Sequence, residues 1–200
     1  MATKENRTIS QFKSKLGGGG ARNNLFVVEM TLDNLGFKDK LNFDADEFQF
    51  MCKAAQLPAQ TVSSIEIPFR GRTFKVAGDR TIDAWTVTII NDEDFALRKS
   101  FEEWSNQIAS LDRNLGTTDP NQYMAKATVY QLGRGATASS KDNSGSGNTI
   151  LATYEFEDIF PTSVSAIELS YDTTNQIEDF TVEFQVQSYK IISAAATRQG

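Results

Sequence analysis

The sequence predicts a mainly β (α+β) protein, an antiparallel two-sheet sandwich or barrel with one flanking α-helix. Three observations carry that expectation. Apolar residues alternate with polar ones at period two through most of residues 24–192, as half-buried strands require. The period turns helical once, where Leu97, Phe101, Trp104, Ile108 and Leu111 recur at intervals of four, three, four and three. A chain of 200 residues and 22.2 kDa is long enough to bury a sizeable core.

Residues 1–23 read as a flexible basic N-terminal arm. Lys4, Arg7, Lys13 and Lys15 stand against the single acid Glu5, and Gly17, Gly18, Gly19 and Gly20 form a run with no preferred conformation. Residues 24–192 follow as one β domain, and 193–200 as a C-terminal tail. The stretch 25–30 reads as a first strand and 48–54 as a second, the latter from the alternation of Phe48, Phe50, Cys52 and Ala54. A polar excursion at 33–47 separates them, and Leu57, Pro58 and Ala59 break the second strand. Strands at 65–69 and 73–76 flank a hairpin turn at Arg70, Gly71 and Arg72. Pro68 confines the first of these to a sheet edge or a bulge.

Residues 84–90 are strongly β-forming, with Trp85, Val87 and Ile89 on one face. A helix at 93–111 comes next, its N-terminus complemented by Asp92, Glu93 and Asp94, with Gly116 and Pro120 ending any continuation. Strands return at 123–132, 150–160 and 164–172. The last spans 178–192, where Phe180, Val182, Phe184 and Val186 alternate with Thr181, Glu183, Gln185 and Gln187. Trp85, Val87, Ile89, Leu97, Phe101, Trp104, Phe180, Val182 and Phe184 form the expected core. The Gly/Ser-rich stretch 133–149 is a long loop between strands.

Composition narrows the function. Lys and Arg total 20 against 26 Asp and Glu, and the net charge of −6 lacks the basic footprint of electrostatic nucleic-acid binding. No run of about 18 apolar residues is present to span a membrane. The N-terminus lacks the apolar core of a signal peptide, and a single cysteine, Cys52, cannot form an internal disulfide. The chain contains no histidine, which excludes a Ser-His-Asp triad, a Cys-His dyad, His-ligated zinc and a histidine proton shuttle. A binding or structural protein is expected, not an enzyme.

The motifs agree. Asn91, Asp92, Glu93 and Asp94 lack the spacing and distal glutamate of a calcium loop, and helix N-capping accounts for them. Neither glycine-rich stretch ends in the Lys-Ser/Thr of a phosphate-binding loop. Cys52 reads as a buried structural thiol. Residues 151–189 hold eight acids and no base, from Glu155 to Glu183, and no two of them stand out as a catalytic pair. A solvated acidic sheet face accounts for them. No catalytic, cofactor-binding or metal-ligating residue is assigned.

Two stretches carry a resemblance. One is Cys52-Lys53-Ala54-Ala55-Gln56-Leu57-Pro58-Ala59. The longer is Val76-Ala77-Gly78-Asp79-Arg80-Thr81-Ile82-Asp83-Ala84-Trp85-Thr86-Val87-Thr88-Ile89-Ile90-Asn91-Asp92-Glu93. Here the chain resembles the tail tube proteins of T-even-like contractile-tailed bacteriophages. The order of parts is similar too, from Asn24, Leu25 and Phe26 through Phe160, Pro161 and Thr162 to Tyr171, Asp172, Asn175, Gln176, Ile177 and Glu178. The likeness covers about residues 22–190, with the arm, the 33–47 excursion and the 133–149 loop as departures.

The resemblance implies six-membered rings stacked into a hollow tube, each subunit lending strands to a closed inner barrel. Related rings occur in bacteriocin and type VI secretion tubes. It further implies a virion location after assembly in the host cytoplasm and a sheath protein outside the tube. Tape-measure protein and DNA would pass inside, and a baseplate tube-initiator would start growth. From it follow the expected contact residues between rings or subunits, Gln56, Leu57, Pro58, Arg70, Gly71, Arg72, Lys4, Arg7, Lys13 and Lys15. The expected lumen-facing acidic and polar residues are Glu66, Thr86, Thr88, Glu183 and Gln185, which would let DNA slide without binding. The alternatives are a tube-initiator or terminator of the same fold, or a monomeric β-sandwich carbohydrate-binding module with exposed aromatics on one sheet face.

Overall fold

The computed structural model describes residues 8–16, 20–113, 115–134, 149–172 and 174–193. In chain order its elements are α1 (Ile9–Lys15), β1 (Phe26–Thr31), α2 (Lys38–Leu41), α3 (Ala45–Met51), β2 (Cys52–Gln56), β3 (Gln60–Phe69) and β4 (Arg72–Ile82). They continue with β5 (Trp85–Ile90), α4 (Ala96–Ile108), β6 (Ala125–Leu132), β7 (Ile150–Val164), β8 (Asp179–Gln185) and β9 (Ser188–Ser193). The expected mainly β, antiparallel architecture with one long flanking helix forms. A seven-stranded sheet runs β1-β6-β7-β8-β5-β2, with β9 paired to β7, and β3 and β4 make a separate two-stranded sheet. The larger sheet ends on β1 and β2, so it does not close within one chain.

The described residues fall into two compact units, one drawn from 1–27, 129–154 and 191–200, the other from 28–128 and 155–190. In the first, the N–H of Leu132 donates to the carbonyl of Leu25 at 2.9 Å, and that of Gly133 to Thr149 at 2.7 Å. The Gln131 amide adds 2.8 Å bonds to the carbonyls of Arg22 and Leu25.

The second unit holds the core. β5 and β8 pair with Trp85 opposite Phe184, Val87 opposite Val182 and Ile89 opposite Phe180. Directly opposed residues share a face of the pleat, so these six side chains make one apolar layer, each buried to within 1%. The Phe101 ring of α4 sits 6.4 Å from Phe180 and 5.8 Å from Phe184, and Trp104 sits 6.2 Å from Phe184. Leu97, on the same helix, is buried as well. Trp85 stacks on Phe156 at 4.8 Å. The Trp104 indole N–H donates to the Tyr123 carbonyl at 2.9 Å.

Several elements differ from their sequence expectation. Residues 48–51 are helical. The Asp44 carboxylate caps α3, accepting from the N–H groups of Asp46 and Glu47 at 2.9 and 3.3 Å. Helical geometry turns Phe48 into the core and leaves Phe50 82% exposed. The apparent alternation over 48–54 therefore joins a helix end to the start of β2. The acids before α4 do not cap it: the N-cap is Phe95, at φ +55° and without a side-chain bond. Asp92 closes a turn instead, its carboxylate accepting from the Glu93 N–H at 2.8 Å and its carbonyl from Phe95 at 3.0 Å. Leu111 lies past the helix end, 94% exposed.

The strand expected at 164–172 does not form. β7 runs unbroken to Val164 through Pro161, with a register shift between Pro161 and Ser163. No strand follows among the described residues of 165–178, because Leu169, Tyr171 and Ile177 find no partner strand and stay exposed. The strand expected over 178–192 splits at Val186 and Gln187, and β9 pairs with β7. The hairpin is longer than expected, both its strands being edges. The arm contains a helix, α1, started by a capping box between Thr8 and Gln11. Lys4, Arg7, loop residues 135–148 and tail residues 194–200 lie outside the described residues.

Candidate functional site

The β3–β4 hairpin is the first candidate surface. Arg70 (φ +44°) and Gly71 (φ +78°) form a two-residue turn in the left-handed region, which matches strand twist. The register sets Ile65 opposite Val76, Ile67 opposite Phe74 and Phe69 opposite Arg72 on one face. Its five apolar side chains are between 40% and 66% exposed. The other face is polar, with Glu66 paired to Lys75 at 3.0 Å. At the tip the Arg70 guanidinium lies 5.5 Å from the Phe69 ring centroid. A two-stranded ribbon is marginal in water by itself, and a continuous exposed apolar face marks a contact surface.

The second surface is the polar face of the larger sheet. Gln56, Thr86 and Glu183 lie in one row across β2, β5 and β8, and Ala54, Thr88 and Thr181 in the next. The Thr88 and Thr181 hydroxyls meet at 3.4 Å. Gln185 shares the face by strand parity. Asp179 on the same strand is ion-paired with Lys53. Four of the five expected lumen residues, Thr86, Thr88, Glu183 and Gln185, are thus gathered on one face, whereas Glu66 belongs to the hairpin. Among the expected contact residues, Gln56 joins this polar face, Leu57 is exposed and Pro58 is buried. Lys13 and Lys15 are exposed in the last turn of α1. The nine expected core residues are all buried.

Charge adds detail. Burial, and then the like charges of Asp92, Asp44 and Asp94, hold the Glu47 carboxyl above the usual carboxylate range. Lys190, bonded to Glu157 at 2.7 Å, lowers the Glu157 carboxyl, and the lysine is raised in return. Cys52 is half-buried, and burial pushes its thiol up to about 12, far from a nucleophile's range. Sequence reasoning missed the extent of the apolar hairpin face; the signal was the alternation of Ile65, Ile67 and Phe69 beside that of Phe74 and Val76.

These surfaces lie within residues 21–192, the span matched by the family described as phage tail tube protein. The chain belongs to the phage tail tube protein family. Tail tube protein gp19 of Enterobacteria phage T4 is 34% identical over 165 residues, covering 82% of this chain and 88% of gp19. The tail tube protein of Serratia phage KSP90 is 21% identical over 183 residues, covering 89% and 93%. The anti-feeding prophage tube terminating cap matches with a TM-score of 0.58 at 16% identity, over 97% of this chain and 100% of that one. A sheath/tube terminator of the PVC extracellular contractile injection system matches with 0.56 at 14%, over 86% and 96%. These last two likenesses show a shared fold. The chain is a tail tube protein, a structural component of a phage virion.

Proposed function

We propose that residues 24–192 act as one tube domain that forms six-membered rings, which stack into the conduit for DNA ejection. The observation that supports this most is the β3–β4 ribbon, whose exposed apolar face finds no partner among the described residues. The unpaired edges on β1 and β2 offer a second contact, since lateral joining of sheets around a ring would remove both edges. A head-to-tail contact closes into a ring when its rotation allows, and stacking then leaves an open contact along the axis. The ribbon, including Arg70 and Arg72, is assigned to the neighbouring ring. The face bearing Thr86, Thr88, Glu183 and Gln185 is assigned to the lumen, where acids and neutral hydroxyls would let phosphates pass without sticking.

In this reading sheath protein surrounds the tube, tape-measure protein and DNA occupy it, and a baseplate initiator starts its growth in the host cytoplasm. The chain has no catalytic task. Trp85 and Trp104 are both fully buried, and the aromatics that the hairpin face exposes, Phe69 and Phe74, sit among Ile65, Ile67 and Val76, an apolar setting that favours a protein contact there over a sugar. The test is negative-stain electron microscopy at stepwise increasing concentration. Long hollow tubes are expected of the main subunit, and single rings would identify an initiator or terminator. Monomers at every concentration, with or without purified initiator, would overturn the proposal, and a densely basic lumen in an assembled structure would overturn the lumen assignment.

A further inference from the structure

We propose that the groove lined by residues 166–171 and 176–179 is a docking site for the amphipathic helix α1 of a second copy of this chain. The inference rests on the tube reading and names a contact of which one side, α1, precedes the family's matched span of residues 21–192. α1 is a well-specified helix, and nothing among the described residues covers it. A capping box starts it, and none of its residues is buried. Ile9, Phe12 and Leu16 recur at three and four, so they share a stripe, and they are 76%, 62% and 42% exposed. Lys13 and Lys15 flank that stripe on opposite sides, as 3.6 residues per turn requires.

The groove is the complement in both respects. It is an open groove of about 630 Å³. Leu169, Tyr171 and Ile177 line it with strongly exposed apolar surface. Residues 166–179 carry Glu168, Asp172, Glu178 and Asp179 and no lysine or arginine. Asp179 is engaged by Lys53, and Glu178 accepts a 3.1 Å bond from the neutral Asn91 amide. Residues 1–16, in contrast, hold four basic residues and one acid.

Other surfaces fit α1 less well. The groove beside α2 and α4 is lined by Lys40 and Lys99 as well as acids, and the apolar hairpin face ends at Arg70 and Arg72. Burying three apolar side chains between flanking lysines, against an apolar floor with an acidic wall, is the mode of a helix in a groove. Such a contact would tie neighbouring subunits together beyond the tube contacts themselves.

The test is photo-cross-linking with Phe12→p-benzoylphenylalanine, which keeps an aromatic ring at the stripe's centre. Equal amounts of isotopically light and heavy chain are mixed, assembled, irradiated and mapped by mass spectrometry. Mixed-isotope cross-links from position 12 into 166–179 are the expected result, with their loss in Lys13→Glu/Lys15→Glu tubes. Tubes with no such cross-link would overturn the inference and leave the tube reading standing. Cross-links confined to one isotope, showing docking on the chain's own body, or mapping to 60–82, would overturn it equally. A chain that neither assembles nor cross-links would remove both.

Discussion

At Gly116 an added Cβ would stand 1.9 Å from the carbonyl oxygen of Ile108, so only glycine lets the chain pass so close to the end of α4. The passage matters because a helix C-terminus leaves carbonyls without intrahelical partners. Here the Thr117 N–H and hydroxyl both reach the Gln107 carbonyl at 3.1 Å, and Ser110 bonds Leu115 at 2.9 Å. Gly116→Ala is expected to cost about 1–3 kcal/mol, read as a lower urea midpoint with unchanged slope. Cys52 makes a pH prediction. Its thiol is raised from 9.0 to about 12 by burial, so the folded state favours the protonated form. The stability this contributes is complete below pH 9.0, and it is lost as pH rises toward 12. Wild type should lose stability across that window by up to about 1.4 kcal/mol per pH unit, and Cys52→Ser should show a shallower loss in chemical denaturation.

Among the elements, the hairpin and α3 show how differently a short apolar alternation can resolve. Over 65–69 the alternation is a strand, because Gly71 and Arg70 accept the left-handed turn that lets β4 return beside it. Over 48–54 a similar pattern is overridden by the Asp44 cap and by the packing of Phe48 against Phe43 and Phe101, at 5.6 and 6.1 Å. The hairpin's apolar face makes no buried core, so polar substitution there should leave the fold alone. Ile67→Asp with Phe74→Ser is expected to change unfolding free energy by no more than about 0.5 kcal/mol. It should abolish stacking of rings, seen as the absence of tubes by electron microscopy and sedimentation. Tube formation at wild-type concentration would refute the assignment of this face.

At the scale of the whole molecule, a net charge of −6 makes copies repel one another, while the proposed contacts through the apolar ribbon and the two sheet edges would draw them together. Screening weakens the first and leaves the second nearly untouched, since the Debye length falls from about 10 Å at 0.1 M to about 3 Å at 1 M salt. Raising salt across that range should therefore lower the concentration at which tubes appear, measured by light scattering. The cross-link from α1 should weaken over the same range, because lysine–carboxylate attraction supports it. Opposite salt responses of the two contacts are the expected outcome.

The sequence by itself determined the fold class, the single long helix, the buried rows on β5 and β8, and the family. These rest on local or strictly periodic signals: Trp85, Val87 and Ile89 alternate whatever their partners are, and Leu97, Phe101 and Trp104 repeat at helical spacing. Only the tertiary structure decided which apolar residues are covered. Leu169, Tyr171 and Ile177 read like strand residues, yet β8 pairs with β5 and β7 and leaves them no neighbour. Phe69 and Phe74 are as apolar as Phe180 and Phe184, yet the first pair stays in solvent and the second is buried. Burial is a property of what packs against a residue, and that depends on strand order and register, which no local pattern encodes.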